Sequence, residues 1–269
     1  MTGAAIAAAA ARLAAVSASP RLDAELLLAH ALGISREALL LGPDRPVPPA
    51  FEALVQRRLA HEPVAYITGR RAFWTLDLAV GPGVLVPRPD SETLIDAAVA
   101  HFRDRAPARI LDLGTGSGAL LLAALDQWPA AWGLGIDRSA AALAIARRNA
   151  APFGPRAALI QGDWATAIEA RFDLVLVNPP YVESGAALPP DVAGREPAAA
   201  LFAGADGLDA YRRLAPMLPP LIAPGGLAAV EIGAGQAAAV GALMAAAGLA
   251  VTARADLAGH DRCLALTRG

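Results

Sequence analysis

The 269-residue chain contains no lysine and only one cysteine, Cys263. A single cysteine excludes an intramolecular disulfide and a cysteine-rich metal site. We expect Cys263 to be a small buried residue within a strand. The four histidines are scattered and lack the spacing of metal ligands. The sequence therefore predicts no metal.

The chain also lacks a polybasic run. Its 23 basic residues, all arginine, are outnumbered by 25 acidic residues, and the formal net charge is -2 at pH 7. Binding to the nucleic-acid backbone depends on clustered positive charge. We therefore expect no stable nucleic-acid binding, although this composition does not exclude a local contact.

One long uncharged stretch, residues 232–253, has the length of a membrane span. It is mostly alanine, however, and Gly248 stands where a helix would end and a strand begin. The apolar N-terminal run has no basic segment before it, unlike a secretory signal. These features predict a cytoplasmic protein that does not contact membranes.

The first part of the chain is predicted to be helical. In residues 20–32, Leu22, Leu26, Leu27 and Ala31 form an apolar stripe, and Gly33 follows as a stop signal. Ser35 is a suitable N-cap for the next helix, and Pro48-Pro49 opens another. We predict a small helical bundle domain over residues 1–71.

Residues 72–90 are predicted to form a β-hairpin linker. Apolar residues alternate from Phe73 to Val80, Gly81-Pro82-Gly83 is typical of a turn, and Val84 to Val86 would form the second strand. Asp90 is the expected N-cap of the helix that follows.

Strands and helices alternate in residues 91–269. Strands are predicted at 109–113, 132–136, 157–161, 172–177, 226–232, 249–253 and 262–267, with helices at 118–127, 139–150, 206–218 and 235–247. This pattern predicts an α/β domain with a seven-stranded, doubly wound, Rossmann-like sheet. Ligands of such sheets bind at the carboxyl ends of the strands, where the strand order reverses.

The first of these strands runs into a glycine-rich turn, Gly114-Thr115-Gly116-Ser117-Gly118. Glycines allow the backbone to approach a ligand closely. With Ala119, the turn also matches the loose dinucleotide pattern, so an NAD enzyme has to be considered. Asp137 ends the second strand, where its carboxylate can accept hydrogen bonds from the ribose hydroxyls of either cofactor.

Two further features favour S-adenosylmethionine over NAD. Asp112 precedes the first glycine, where a carboxylate would repel a pyrophosphate but suits the ammonium and sulfonium groups of S-adenosylmethionine. After the third strand, Asp163 can bind the adenine amine and Trp164 can stack on the ring, although Trp164 could also be a core aromatic. The predicted fold is thus that of a class I methyltransferase.

The fourth strand ends directly in Asn178-Pro179-Pro180-Tyr181. The prolines fix the backbone and remove two N–H donors. The side-chain carbonyl of Asn178 and the main-chain carbonyl of Pro179 can then both accept from one NH2 group, while Tyr181 can lie flat against the planar group that carries it. The motif therefore predicts methylation of an amide or amine nitrogen, with the rate gained from orientation and electrostatics.

The chain resembles the HemK-type family of peptide chain release factor N5-glutamine methyltransferases over essentially its whole length. The matching motifs include Glu62 to Gly69, Val84 to Glu92, Asp112 to Gly118, Asn178 to Tyr181, Arg195-Glu196-Pro197, Gly204 to Leu208, Glu231-Ile232-Gly233 and Asp256 to Arg262. The resemblance implies that class 1 release factors are the protein substrates and that the glutamine of their Gly-Gly-Gln motif is methylated. It also implies that Gly114 to Gly118, Asp137, Trp164 and Asn178 bind cofactor and that Asn178 to Tyr181 hold the glutamine. From its position ahead of the methyltransferase domain, we expect the helical domain, residues 1–71, to dock the protein substrate.

Several alternatives stay open at the level of sequence. Within the family, the substrate could be a glutamine of a ribosomal protein. An adenine or guanine amine is a similar planar nitrogen, although no basic recognition surface is evident for a nucleic acid. A protein that only senses S-adenosylmethionine would have no need of Asn178 to Tyr181. Arg88 could lie on the surface or close over the active site, and Tyr66 to Gly69 could contact substrate or pack between domains.

Overall fold

Five helices form the first of two structural units in the computed structural model, which describes residues 1–269. This helical unit comprises Met1–Arg70, Val80–Pro82 and Leu188–Arg195. Its helices are α1 (Thr2–Leu13), α2 (Pro20–Leu32), α3 (Arg36–Leu41), α4 (Ala50–Leu59) and α5 (Val64–Thr68). Ser35 caps α3 by accepting from the N–H of Ala38, and Gly33 ends α2 with a φ of 67°. The helices predicted from the sequence are confirmed.

The core of the helical unit contains Leu13, Leu27, Leu28 and Val55, all fully buried. The predicted stripe on α2 was partly wrong, because Leu22 is exposed. The buried face of α2 instead includes polar side chains. One of these, Asp23, accepts a hydrogen bond of 2.8 Å from the buried guanidinium of Arg58.

The second unit comprises Arg71–Ala79, Gly83–Ala187 and Glu196–Gly269 and contains a seven-stranded sheet. Its order is β5-β4-β3-β6-β7-β9-β8, with β9 antiparallel to its two neighbours and the other pairs parallel. The strands are β3 (Arg109–Leu113), β4 (Trp132–Asp137), β5 (Ala157–Gln161), β6 (Phe172–Val177), β7 (Ile222–Glu231), β8 (Leu249–Ala255) and β9 (Asp261–Arg268). The predicted Rossmann-like fold is confirmed.

Helices cover both faces of this sheet, as expected of a doubly wound fold. They are α6 (Glu92–His101), α7 (Ala119–Gln127), α8 (Ala140–Ala150), α9 (Asp209–Leu214), α10 (Leu218–Leu221) and α11 (Ala237–Ala246). Successive residues of a strand point to opposite faces of the sheet. Ile110 therefore packs in the apolar cluster that contains α6 and α7, whereas Leu111 packs in the cluster that contains α9, α10 and α11. Cys263 is buried on β9 opposite Glu231, as predicted for a small core residue.

The helix predicted at 206–218 is two short helices, α9 and α10. Gly207 has a φ of 70°, so the helix starts only at Asp209. Pro216 lies in the gap between α9 and α10, where its ring and its missing N–H interrupt a helix. The uncharged stretch 232–253 forms α11 and β8, separated by Gly248, and none of the helices has the length and apolar character needed to cross a bilayer.

The hairpin is present as a two-stranded sheet, but the predicted position of its turn was wrong. Its strands are β1 (Arg70–Phe73) and β2 (Leu76–Ala79), and Trp74 turns the chain with a φ of 54°. The side chain of Asn149 bonds both the N–H and the carbonyl of Ala79. These two groups are therefore not free to pair with Val84 to Val86.

The predicted capping role of Asp90 was also wrong. Asp90 lies in a short 3-10 turn, Pro89–Ser91, and makes no cap to α6. Its carboxylate instead pairs with Arg262 at 3.3 Å.

Candidate active site

The glycine turn and the Asn178 loop meet at the carboxyl edge of the sheet. β3 and β6 are adjacent, and the strand order reverses between them. Gly114 has a φ of 75°, and a Cβ placed there would lie 3.3 Å from the ring of Trp164 and 3.9 Å from the carbonyl oxygen of Asn178. Only glycine fits this close approach without strain.

Hydrogen bonds hold the glycine turn in one shape. The N–H groups of Gly114 and Thr115 both donate to the carbonyl of Ile136 at 2.9 Å. The N–H of Gly116 donates to Oδ2 of Asp137 at 2.9 Å, and that of Ser139 donates to Oδ1 at 2.8 Å. The turn is therefore fixed to the end of β4, and Asp137 is held with lone pairs left for a ligand.

Asp112 is buried at the base of the same turn, with 1% of its surface exposed. Its Oδ2 accepts from the hydroxyl of Thr115 at 2.6 Å and from the N–H of Leu121 at 3.2 Å, whereas Oδ1 has no partner. Burial raises the pKa of this carboxyl to about 7. A buried carboxylate oxygen without a donor suits a cationic ligand group.

A cavity of about 590 Å³ opens over these loops. Of the residues predicted to bind cofactor, all except Gly118 line it, namely Asp112, Gly114, Thr115, Gly116, Ser117, Asp137, Asp163, Trp164 and Asn178. Gly118 instead begins α7 with a φ of 86°, and a Cβ there would lie 3.2 Å from Leu122. Its role is to let the turn pass into α7.

Trp164 and Asp163 form one wall of the cavity. Trp164 is half-buried and has a φ of 53°, a backbone conformation that is uncommon for a bulky side chain. Asp163 is exposed, and its Oδ2 is bound by Arg213 at 2.6 Å. One carboxylate oxygen of Asp163 is thus engaged by protein, and the other is left for a donor.

The Asn178 loop is divided between the cavity and the core. Asn178 and Pro180 line the cavity, whereas Pro179 is buried behind them. The ring of Tyr181 packs beside Gly233, and its hydroxyl donates to Oε1 of Glu231 at 3.2 Å. The structure thus brings together Asn178 and the cofactor-site residues, and places Tyr181 behind the cavity lining.

Two residues with no role assigned from the sequence contact the Asn178–Tyr181 loop. Ser91 lines the cavity and accepts a hydrogen bond of 3.0 Å from Nδ2 of Asn178. Glu231 is almost fully buried at the end of β7, where burial raises its pKa to about 7. Both lie within motifs of the family resemblance, but their spacing in the sequence gives no sign that they contact this loop.

Arg88 also lines the cavity. Its guanidinium lies 2.7 Å from Oε1 of Glu196, a carboxylate with only 1% of its side chain exposed. Oε2 of Glu196 accepts from the N–H of Val86. Through these two bonds Glu196 links two segments that line the cavity. One segment contains Val86 and Arg88 and precedes α6, and the other begins at Pro197.

The residues present fit S-adenosylmethionine. Asp112 can accept from its ammonium group, Asp137 from its ribose hydroxyls and Asp163 from its adenine amine, while Trp164 offers a flat apolar surface. The cavity is also large enough for a ligand of this size. No groups of side chains suited to a metal ion are present.

Comparisons with known proteins identify the family. Residues 4–69 match the family model described as PrmC N-terminal domain, and residues 90–195 match the Methyltransferase small domain. The chain is 50% identical over 258 residues to a release factor glutamine methyltransferase of Rhodospirillum rubrum, covering 93% of this chain and 79% of that protein. It is 45% identical over 253 residues to the protein of the same name in Caulobacter vibrioides, which covers 90% of this chain and 88% of that protein.

Among solved structures, a methyltransferase from Pyrococcus furiosus has a similar fold. Its TM-score is 0.55 at 17% sequence identity, over 81% of this chain and 98% of that one. Because the chain is 45–50% identical to these two curated relatives over most of both lengths, it belongs to the release factor glutamine methyltransferases. It is therefore an S-adenosylmethionine-dependent enzyme.

Proposed function

We propose that this enzyme transfers the methyl group of S-adenosylmethionine to the side-chain amide nitrogen, N5, of the glutamine in the Gly-Gly-Gln motif of class 1 release factors. The observation that carries this proposal is that one cavity is lined by both Asn178 and Asp112, whose Oδ1 is buried without a partner. The names of the curated relatives and the resemblance noted in the sequence support the choice of substrate.

In this proposal the chain acts by orienting the amide. Oδ1 of Asn178 and the carbonyl of Pro179 each accept one N–H of the glutamine NH2 group, which directs the nitrogen lone pair toward the methyl donor. Asp112 and Asp137 hold the cofactor, which supplies an electrophilic methyl on its sulfonium. Because both acceptors draw electron density toward the nitrogen, they stabilise the positive charge that develops there. The carbon–sulfur bond would break as the carbon–nitrogen bond forms, and the nitrogen would then lose one proton to solvent.

The decisive experiment is mass spectrometry of a purified release factor after incubation with the enzyme and S-adenosylmethionine. We expect one added methyl on the Gly-Gly-Gln glutamine. The Asn178→Ala variant should lose transfer while its cofactor affinity changes far less. Methylation of a ribosomal protein or of a nucleic-acid amine, with the release factor left unmodified, would contradict the proposal.

We further propose that residues 1–71 dock the protein substrate. The helical unit exposes apolar surface at the end of α3, where Leu40 is 44% and Leu41 is 88% exposed. Replacing both by glutamine should raise KM for the intact release factor but not for a short Gly-Gly-Gln peptide. An equal effect on both substrates would argue against docking there. The proposal also places the enzyme in the cytoplasm, with no stable nucleic-acid or membrane partner.

A further inference from the structure

A buried carboxylate holds the guanidinium of Arg88 at the cavity. Nη2 of Arg88 lies 2.7 Å from Oε1 of Glu196, and the two side chains are 36% and 1% exposed. Oε2 of Glu196 accepts from the N–H of Val86 at 3.3 Å. Both oxygens of Glu196 are thus engaged within the protein. The guanidinium has five N–H donors and uses only Nη2 in this bond, so donors are left for a ligand.

Two hydrogen bonds connect Arg88 to Asn178. The N–H of Ser91 donates to the carbonyl of Arg88 at 3.1 Å, and Oγ of Ser91 lies 3.0 Å from Nδ2 of Asn178. The preceding carbonyl, that of Pro87, accepts from Nε of Arg71 at 3.1 Å. Arg88, Ser91 and Asn178 all line the cavity. The backbone that carries Arg88 is therefore fixed to the loop that receives the glutamine in the proposed function.

The charges around Arg88 determine which kind of ligand group suits it. An arginine without a counter-charge would repel the sulfonium and ammonium groups of the cofactor, whereas Glu196 neutralises Arg88. A second carboxylate at the guanidinium would in turn be repelled by Glu196. A peptide carbonyl carries no net charge and still gains a charge-assisted hydrogen bond from the guanidinium. The pair is therefore suited to the main chain of a peptide rather than to an anion.

We infer that Arg88 donates to a main-chain carbonyl of the substrate segment that carries the methylated glutamine, and that Glu196 is the positioning residue that holds the guanidinium for this contact. The inference rests on the proposed transfer to a glutamine of a protein, because such a substrate brings main-chain carbonyls into the cavity with the reacting side chain. In that proposal Asn178 and Pro179 offer the substrate only acceptors. A substrate carbonyl that loses water on binding needs a donor from another residue, and Arg88 supplies it.

The test measures kcat/KM for the intact release factor in Arg88→Met, which keeps much of the side-chain volume but has no N–H donor. This change alone leaves the Glu196 carboxylate buried without its cation. The variant is therefore also combined with Glu196→Gln, whose amide oxygen can still accept from Val86. For both proteins we expect kcat/KM to fall at least about tenfold, with the cofactor Kd within about twofold of the wild type.

Two further variants serve as rescue and control. Arg88→Lys keeps a charged donor and should recover part of the lost kcat/KM. Arg103→Met removes an exposed arginine outside the cavity lining and should resemble the wild type.

Glu196→Gln alone tests the positioning role. It should lower kcat/KM about three- to tenfold in the wild-type background but cause no further loss when Arg88 is already methionine, because Glu196 acts through the guanidinium. Additive losses would contradict this role. The ratio of wild-type to Arg88→Met kcat/KM should also be equal at about 50 mM and about 300 mM salt, since the acceptor is uncharged.

The inference is overturned if Arg88→Met and the double variant both keep kcat/KM within about twofold of the wild type. A parallel rise in the cofactor Kd would assign Arg88 to the cofactor carboxylate, and a ratio that shrinks with salt would assign it to an acidic group of the substrate. Either result also overturns the inference. Wild-type enzyme that leaves the release factor unmethylated would instead refute the proposed function.

Discussion

The main-chain N–H of Gly116 lies 2.9 Å from the carboxylate of Asp137, which joins the turn after β3 to the end of β4. The second oxygen of this carboxylate accepts from Ser139 at the start of α8. One side chain thus shapes the cofactor loop and faces the cavity.

Asp137→Asn should weaken cofactor binding and also destabilise the loop. In the wild type, the N–H groups of Gly116 and Ser139 each donate to a different oxygen of the Asp137 carboxylate. The asparagine amide has only one oxygen, so one of the two N–H groups would lose its acceptor. We expect the cofactor Kd, measured by titration calorimetry, to rise at least about tenfold and the free energy of unfolding to fall by about 1–2 kcal/mol. Asp126→Asn is the matched control, since Asp126 bonds Thr75 away from the cavity lining and should leave Kd unchanged. An unaltered Kd in Asp137→Asn would contradict this assignment.

Cofactor affinity should depend on pH through Asp112. Its pKa is about 7 in the ligand-free protein, and the cofactor ammonium favours the ionised form. The affinity should therefore fall as pH drops below 7, with Kd about five- to tenfold higher at pH 6 than at pH 7.5. Asp112→Asn should bind weakly at both pH values and lose most of this dependence. If the variant keeps the pH profile of the wild type, another group is responsible.

The same carboxylate should destabilise the ligand-free enzyme. The pKa of Asp112 is raised above its unfolded value of 3.8, so its contribution to stability is present at low pH and is lost as pH rises toward 7. We expect ligand-free Asp112→Asn to be more stable than the wild type at pH 8, by about 2–4 kcal/mol. This difference should shrink toward pH 4.5. Denaturant unfolding at both pH values measures it, and a variant less stable than the wild type at pH 8 would contradict it.

Gly114 and Gly116 offer a matched comparison of strain and space. Both have positive φ, but a Cβ at Gly114 would lie 3.3 Å from Trp164, whereas at Gly116 the nearest atom is 3.9 Å away. Each alanine variant should lose about 1 kcal/mol of stability from backbone strain. Only Gly114→Ala should also displace Trp164, which would be seen as a change in tryptophan fluorescence of the ligand-free protein. Identical fluorescence of Gly114→Ala, Gly116→Ala and the wild type would show that Trp164 does not need this space.

The sheet and much of the cavity lining could be predicted from sequence because their signals are local. Apolar periodicity and glycines mark β3 and its turn, and strands that end in Asp137 or Asn178 must bring those side chains to one edge. The hairpin was misassigned because the end of β2, Ala79, is bonded by the side chain of Asn149, which lies 70 residues away in the chain and leaves no local signal. Asp90 was misassigned for a similar reason, since its partner is Arg262 on β9.

The same limit applies to the polar side chains that contact the Asn178–Tyr181 loop. Ser91, Asn178 and Glu231 lie on three separate segments, and no spacing rule connects them. Glu196 and Arg88 are also far apart in sequence and meet only across the cavity rim. Sequence thus identified residues that line the cavity, whereas the side chains that contact them from elsewhere in the chain required the folded structure.

The burial of Cys263 has a practical consequence for measuring how this enzyme recognises its substrate. Its thiol is inaccessible within the sheet, and burial raises its pKa to about 12, so it will resist alkylating dyes while the protein is folded. A cysteine introduced at an exposed position such as Leu257 would then be the only reactive thiol. Fluorophores for distance measurements between enzyme and release factor can therefore be attached without first removing a native residue.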